Sequence, residues 1–212
     1  VWSASEHGGD GDEALALQVD AGGSVYVTGS TGMRDRSSAY HTVRYDADGA
    51  RLWAASFGEA GLFSRATALA LGPDGGVYVT GSSGRLSIGQ PEFATIRYDA
   101  DGTELWVTRS GGNVAAAQAI VDDATGAAFV TRSGGLTQNY SQAGALVREA
   151  AEPGLDGKAV VLDRRGGAFV AGTFAMSSRT DYFVIQYDKD GRALASAAHA
   201  APASTYYQLE DM

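Results

Sequence analysis

A single unit of sequence returns four times along the chain, and its spacing constrains the fold more than any other feature. In its clearest copy it runs Ala68-Leu69-Ala70-Leu71-Gly72-Pro73-Asp74-Gly75-Gly76-Val77-Tyr78-Val79-Thr80-Gly81, then a variable stretch, then Phe93-Ala94-Thr95-Ile96-Arg97-Tyr98-Asp99-Ala100-Asp101-Gly102-Thr103-Glu104-Leu105-Trp106. Anchored on the second-strand valine that precedes Thr-Gly in the clearest copies, the repeats fall at Val27, Val79, Val130 and Val170, with spacings of 52, 51 and 40 residues. The alanines Ala16, Ala68, Ala119 and Ala159 keep the same register, and Arg44, Arg97, Arg148 and Gln186 align as a further set. On that alignment the last interval is short by 51 − 40 = 11 residues, and the deficit lies between Arg148 and Ala159. It matches Asp99 through Arg109, one tight turn plus one strand. The third copy is therefore expected to lack its outermost strand, with Glu149 through Gly154, which contains Pro153, as a crossing loop.

β-Rich runs bounded by Gly, Pro and Asp place strands in the second copy at about 67–71, 76–82, 93–99 and 104–109. Turns follow at Gly72-Pro73-Asp74-Gly75 and Asp99-Ala100-Asp101-Gly102. Runs such as Val25-Tyr26-Val27-Thr28 do not alternate cleanly, as expected of a sheet covered on both faces. A period near fifty residues built of four short strands predicts an all-β fold, a β-propeller of four repeats of four-stranded antiparallel blades with a degenerate third blade. The blades are expected at about 14–57, 66–109, 117–150 and 157–199, within a single repeat domain spanning 1–212. Val1-Trp2-Ser3-Ala4-Ser5 matches Leu52-Trp53-Ala54-Ala55-Ser56, so residues 1–6 read as the outer strand of a preceding blade, and 205–212 as the start of a further one. The expectation is a partial propeller.

Glycine, 29 of 212 residues, is concentrated in turns where positive φ is needed. A net charge of −9 with no basic run argues against a nucleic-acid partner and against an anionic membrane surface. No apolar run approaches membrane-spanning length, so membrane insertion is not expected. The chain has no cysteine, which removes disulfide and thiolate chemistry.

Three Tyr-Asp-x-Asp-Gly turns, holding Asp46 and Asp48, Asp99 and Asp101, and Asp188 and Asp190, admit a calcium reading. A hairpin in which the first Asp accepts backbone N–H bonds and Gly takes positive φ explains the same residues. Trp2, Trp53 and Trp106, with Tyr45, Tyr98 and Tyr187, recur at fixed places and are expected to pack between blades. His7, His41 and His199 lie in different repeats without a partner at metal-ligand spacing, and the glycine clusters fit neither a nucleophile elbow nor a phosphate loop. Asn139-Tyr140-Ser141 is a formal glycosylation acceptor. The inner-strand positions Gln18, Ala70, Val121 and Val161 offer nothing titratable for catalysis at a propeller axis. No catalytic residue, metal site or cofactor is expected.

The turns joining first to second and third to fourth strands are short and alike, whereas the second-to-third and blade-to-blade connections are long and differ in every copy. These variable connections emerge at one end of the blades, where specificity is usually carried. They include Met33-Arg34-Asp35-Arg36, Arg85-Leu86-Ser87-Ile88, Gln138-Asn139-Tyr140 and Met176-Ser177-Ser178-Arg179. Arg34, Arg36, Arg85, Tyr140 and Arg179 are the candidate ligand-binding residues, suited to an acidic or glycan ligand or to a protein. Other blades of a longer chain, or self-association, are the further partners in view.

The pattern Asp/Gly-x-x-Gly-x-Val-Tyr-Val-Thr-Gly-Ser followed by Phe-x-Thr-x-x-Tyr-Asp-x-Asp-Gly-x-x-Leu-Trp resembles the bacterial SBBP-type β-propeller repeat family. The likeness is clear at 14–57 and 66–109, good at 157–191 and weak at 135–156. It implies propeller architecture, commonly in large bacterial extracellular or envelope-associated proteins of unassigned role, and supplies no catalytic residues to carry over. The reading adopted is a non-catalytic binding or scaffolding module of a bacterial secreted or cell-envelope protein. Asp-Gly-x-x-Leu-Trp is also similar to the tryptophan motif of quinoprotein-like propellers, although Ala195 replaces the tryptophan in the last copy. That likeness implies the alternative, a fragment of a propeller enzyme, a quinoprotein-like dehydrogenase or a lyase or hydrolase, whose active site is incomplete in this chain. A purely structural segment of a repeat array is the third reading.

Overall fold

The structure, a computed structural model, describes residues 1–6, 9, 11–35, 37–85, 90–110, 117–122, 125–152, 154–163, 165–175 and 180–199, with the main chain alone at 90, 91, 117–122 and 175. The described residues form sixteen β-strands and no helix. Residues 205–212, read as the start of a further blade, lie outside the described residues. The chain divides into two compact units, Val1–Ala117 and Gln118–Met212.

The first unit holds two four-stranded meanders. One is β1 (Glu13–Val19), β2 (Val25–Gly32), β3 (Ser38–Tyr45) and β4 (Arg51–Phe57); the other is β5 (Phe63–Leu71), β6 (Val77–Arg85), β7 (Gln90–Tyr98) and β8 (Glu104–Ser110). Consecutive strands pair antiparallel, and a single parallel bridge from Ser38 to Phe63 joins the meanders. Residues 1–6 form no strand.

Turn chemistry sets the register. Asp46 Oδ1 accepts the amides of Asp48 (3.0 Å) and Ala50 (2.8 Å), and Gly49 closes the turn at φ 87°. Asp99 Oδ1 does the same for Asp101 (2.9 Å) and Thr103 (2.8 Å), with Gly102 at φ 83°. Each carboxylate thereby satisfies two amides that the tight turn would otherwise leave open. Across the middle strands lie buried hydroxyl pairs, Thr28 with Thr42 at 2.8 Å and Thr80 with Thr95 at 3.0 Å.

Between the two meanders, Tyr26 and Tyr40 pack with Ala66, Leu69, Val77, Val79, Ala94, Ile96 and Tyr98. Each large apolar side chain sealed in this way contributes roughly 1.5–3 kcal/mol. Trp53, carried on β4, wedges the rim of that contact. Its indole N–H donates to Ala100 O at 3.0 Å, and its ring lies 6.1 Å from Tyr98 and 6.3 Å from Tyr26. A Cβ added to Gly102 would come within 2.7 Å of the ring, so glycine serves both the turn and the wedge. Trp2 makes the matching contact on the first meander, donating to Ala47 O at 3.0 Å and lying 5.8 Å from Tyr45 and against Gly49.

The second unit holds two more meanders, each a separate four-stranded sheet. One is β9 (Ala117–Asp122), β10 (Ala128–Arg132), β11 (Leu136–Tyr140) and β12 (Leu146–Ala151); the other is β13 (Leu155–Leu162), β14 (Ala168–Ala175), β15 (Thr180–Tyr187) and β16 (Ala193–His199). Phe129 packs against Val160, Ala168, Val170, Phe183, Ile185 and Tyr187.

The third copy has not lost its outermost strand. β12 supplies it, and what is missing is the long connection between second and third strands, cut to Ser133-Gly134-Gly135. Arg148 is therefore not the counterpart of Arg44 and Arg97. Arg44 pairs with Trp53, Arg97 with Trp106 and Asn139 with Arg148, so Asn139 holds the arginine place and Arg148 the tryptophan place. Tyr140 stands where Tyr45 and Tyr98 stand. Ser141 replaces the turn aspartate, its Oγ accepting the Ala145 amide at 3.1 Å, and Gly144 keeps φ at 83°.

Candidate functional site

In both units the meander topology sends the two kinds of connection to opposite ends of the strands. The constant end is chemically committed. Besides the third-to-fourth-strand turns, Asp20 accepts the amides of Gly22 (2.8 Å) and Ser24 (2.9 Å), and Asp163 those of Arg165 (2.7 Å) and Gly167 (2.8 Å). Asp188 caps Asp190 and Arg192 in the same way. The Ser24 amide, ahead of the other donors, holds the Asp20 carboxyl below the usual carboxylate range, and the Gly167 amide leads for Asp163. Burial pushes Asp74 upward, but the Gly76 amide and the Arg97 guanidinium outweigh it and its carboxyl also lies low. Arg44 stacks over Tyr26 at 5.0 Å and Arg97 over Tyr78 at 5.2 Å, with Asp20 and Asp74 as their ion-pair partners. These aspartates spend their oxygens on the fold, which is the hairpin reading of the Asp-Gly turns.

The variable end of the first unit is braced across both meanders. Asp35, in the β2–β3 connection, accepts the Ser37 amide at 3.0 Å and the Gly61 amide, from the β4–β5 connection, at 3.0 Å. The Ser37 hydroxyl is the largest influence holding the Asp35 carboxyl low. Ser64 Oγ lies 3.0 Å from Ser83 Oγ, and Arg109 donates to Ser83 Oγ at 3.1 Å and to Glu59 at 2.9 Å while stacking over Phe57 at 4.9 Å. Arg65 forks onto Glu13 at 2.9 and 3.0 Å. Two cations of this end stand apart. Arg34 and Arg85 are exposed, one beside Asp35 and the other at the end of β6, and neither side chain makes a hydrogen bond or ion pair to another described residue.

Of the remaining sequence-derived candidates, Arg36 and Arg179 lie outside the described residues. Tyr140 is not a loop residue. It is buried at the end of β11, donating its hydroxyl to Gln138 Oε1 at 2.8 Å, because the hairpin at Ser133-Gly134-Gly135 shifts the register. Asn139 beside it is also buried, which leaves no room for a glycan. His41 Nδ1 lies 2.9 Å from Ser56 Oγ, His199 stacks on Tyr182 at 4.9 Å, and His7 lies outside the described residues. Among the described residues, no three His, Asp or Glu side chains are grouped to hold a metal ion.

Among the described residues, cavities open in both units. In the first, about 350 Å3 is lined by Trp2, Glu6, Val25, Val27, Val43 and Tyr45. Burial, aided by the 2.9 Å bond to Glu6, pushes the Tyr45 hydroxyl up to about 12. In the second, about 600 Å3 is lined by Phe174, Asp181, Phe183, Ile185, Leu194 and Ser196.

Repeated antiparallel four-stranded meanders are the building unit of a β-propeller. No protein-family model matches the chain, and no curated protein does. Solved propellers do match. The β-propeller domain of the Trilobed protease from Pyrococcus furiosus, described as having an open velcro topology, superposes with a TM-score of 0.55 at 10% identity, over 91% of this chain and 59% of that one. A quinoprotein alcohol dehydrogenase-like protein from Bacteroides thetaiotaomicron gives 0.52 at 15% identity, over 86% and 45%. BamB from Moraxella catarrhalis gives 0.51 at 12%, over 87% and 41%. The chain spans about half the length of these structures, and likeness at this level concerns the fold alone.

Proposed function

We propose that the chain is a non-catalytic β-propeller binding or scaffolding module of the SBBP-repeat type, four blades of a partial propeller, which takes an acidic ligand at the variable end of its blades. The observation that carries this reading is the contrast among the arginines of that end. Arg65 and Arg109 are held by Glu13 and Glu59, whereas Arg34 and Arg85 are exposed at the same end of neighbouring meanders. A guanidinium in that state offers a planar fork to a carboxylate or sulfate. By sequence position, Arg36 and Arg179 belong to the same set. The ligand class is an acidic glycan or an acidic protein segment, and a bacterial secreted or cell-envelope setting goes with the repeat type.

The test is a thermal-shift and titration series against uronate-containing and sulfated oligosaccharides. A ligand at a hundred times its Kd should raise stability by about 2.7 kcal/mol. Arg34→Glu combined with Arg85→Glu should abolish that shift while leaving the unliganded melting temperature unchanged. Undiminished binding by the double variant would sink the assignment of these arginines.

A further inference from the structure

We infer that the chain associates head to tail with a second copy of itself, the outer face of its last meander docking on the outer face of its first. The inference builds on the partial-propeller reading. The first unit already contains the interface that would be reproduced, since its two meanders pack face to face. On the second meander that sealed face is built from Leu69, Leu71, Val77, Val79, Ile96 and Tyr98. The repeat register gives their counterparts on the first meander's outer face as Leu17, Val19, Val25, Val27, Val43 and Tyr45. The apolar character is kept at every position, but the cover is kept only in part: Val43 and Tyr45 are buried, with Trp2 and Glu6 against Tyr45, whereas β1 is open. Leu69 is 4% exposed, while Leu17 is 59% and Val19 55% exposed.

The last meander shows the complementary half. The face that the first meander turns to the second is buried and partly polar, with Tyr40 and the Thr28–Thr42 hydroxyl pair. On the last meander the same places are Tyr182, Ala171 and Val184, and Val161 stands where Gln18 stands. Tyr182 is 37% and Val184 39% exposed, against 0% for Tyr40 and for Thr42. At these positions the exposed face is more apolar than its buried counterpart, which suits it to be covered. The two open faces are different and of opposite sense, so a copy-to-copy contact through them is heterologous.

The wedge completes the match. Where blade meets blade inside the first unit, Trp53 of one meander fills the rim against Tyr98 and Gly102 of the next. The last meander has Ala195 at that position and cannot supply an indole. On the receiving face the rim at Tyr45 and Gly49 is already filled by Trp2. A small residue thus arrives where the ring is already seated.

The experiment is sedimentation with light scattering across a concentration series, on the full chain and on Leu17→Lys, Val184→Lys and Leu105→Lys. The wild type should grow in mass with concentration. Leu17→Lys and Val184→Lys should each weaken association by more than about tenfold with unchanged melting temperature. Mixed together they should form a dimer and nothing larger, because each retains the face the other has lost. Leu105→Lys, exposed and apolar but on neither open face, should behave as wild type. A single-chain mass at every concentration, or self-association unaffected by both face variants, would overturn the inference. Scattering separates the two failures: a monomer with an open envelope overturns only the self-docking, whereas a monomer closed into a compact ring overturns the partial-propeller reading as well.

Discussion

The two units solve one packing problem with different side chains. In the first, the place one residue after the exposed Leu52 is a tryptophan, seated against the positive-φ Gly102 of the next turn. In the second, the equivalent place is Arg148, and the glycine it faces is Gly191, whose added Cβ would meet Arg148 Cβ at 3.1 Å. The turn, the glycine and the capping atom persist while the wedge changes from a large ring to an exposed, flexible chain. The repeat therefore conserves its backbone solution more strictly than the side chain that fills it, and the first unit should depend on its wedge far more than the second.

Removing the ring is the severest way to break that comparison. Trp53→Ala should cost about 3 kcal/mol in denaturant unfolding, near the lower end of the range for large aromatics because the indole is half-buried. The glycines come next. Gly102→Ala should cost about 2 kcal/mol, combining left-handed backbone strain with a Cβ 2.7 Å from the indole, whereas Gly191→Ala combines the same strain with looser 3.1 Å contacts to the Cβ atoms of Arg148 and Asn139 and should cost less, about 1 kcal/mol. Equal costs at the two glycines would show that the indole adds nothing to the strain.

Acid sharpens the contrast in another way. Asp20, Asp74 and Asp163 have folded-state values below those of the unfolded chain, so their stabilisation is complete above about pH 4 and is lost as the pH falls through the depressed values. Asp74 loses an arginine partner on protonation, and Asp163 loses only neutral donors and a weaker charge. Asp74→Asn should therefore flatten the acid limb of stability against pH more than Asp163→Asn does; an identical limb in the two variants would count against the Arg97 pairing. The smallest effect is expected at Arg148→Ala, within about 0.5 kcal/mol for a surface change, and a loss as large as that of Trp53→Ala would erase the difference between the units.

Strands and turns were legible because β-rich runs and Asp-Gly turns obey local rules. In the second copy the expected strands at 67–71, 76–82, 93–99 and 104–109 appear at Phe63–Leu71, Val77–Arg85, Gln90–Tyr98 and Glu104–Ser110, lengthened toward the variable end where the sequence loses its repeat. The third copy conceals its register. An arginine at 148 invited alignment with Arg44 and Arg97, and the Tyr-Asp-x-Asp-Gly anchor was absent. The signal that finds the correct register is Tyr140-Ser141-Gln142-Ala143-Gly144, because a serine hydroxyl can accept the same amide as an aspartate and the glycine still takes positive φ. The exposure of Arg34 and Arg85, and the pairing of Arg109 with Glu59, depend on which strands become neighbours. No local pattern encodes that.

The shortened connection between Arg132 and Leu136 has a consequence for what these sheets tolerate. Its two strands still pair in full register across a three-residue link, down to the Thr131–Thr137 contact at 3.3 Å. Material at that end of a meander is thus an appendage that the sheet can do without. Lengthening such a link costs only the entropy of closing a larger ring, about 0.6 kcal/mol per doubling, so foreign peptides spliced between Arg132 and Leu136 should be carried as passengers, and the meander becomes a display frame whose cargo can be exchanged without redesigning its support.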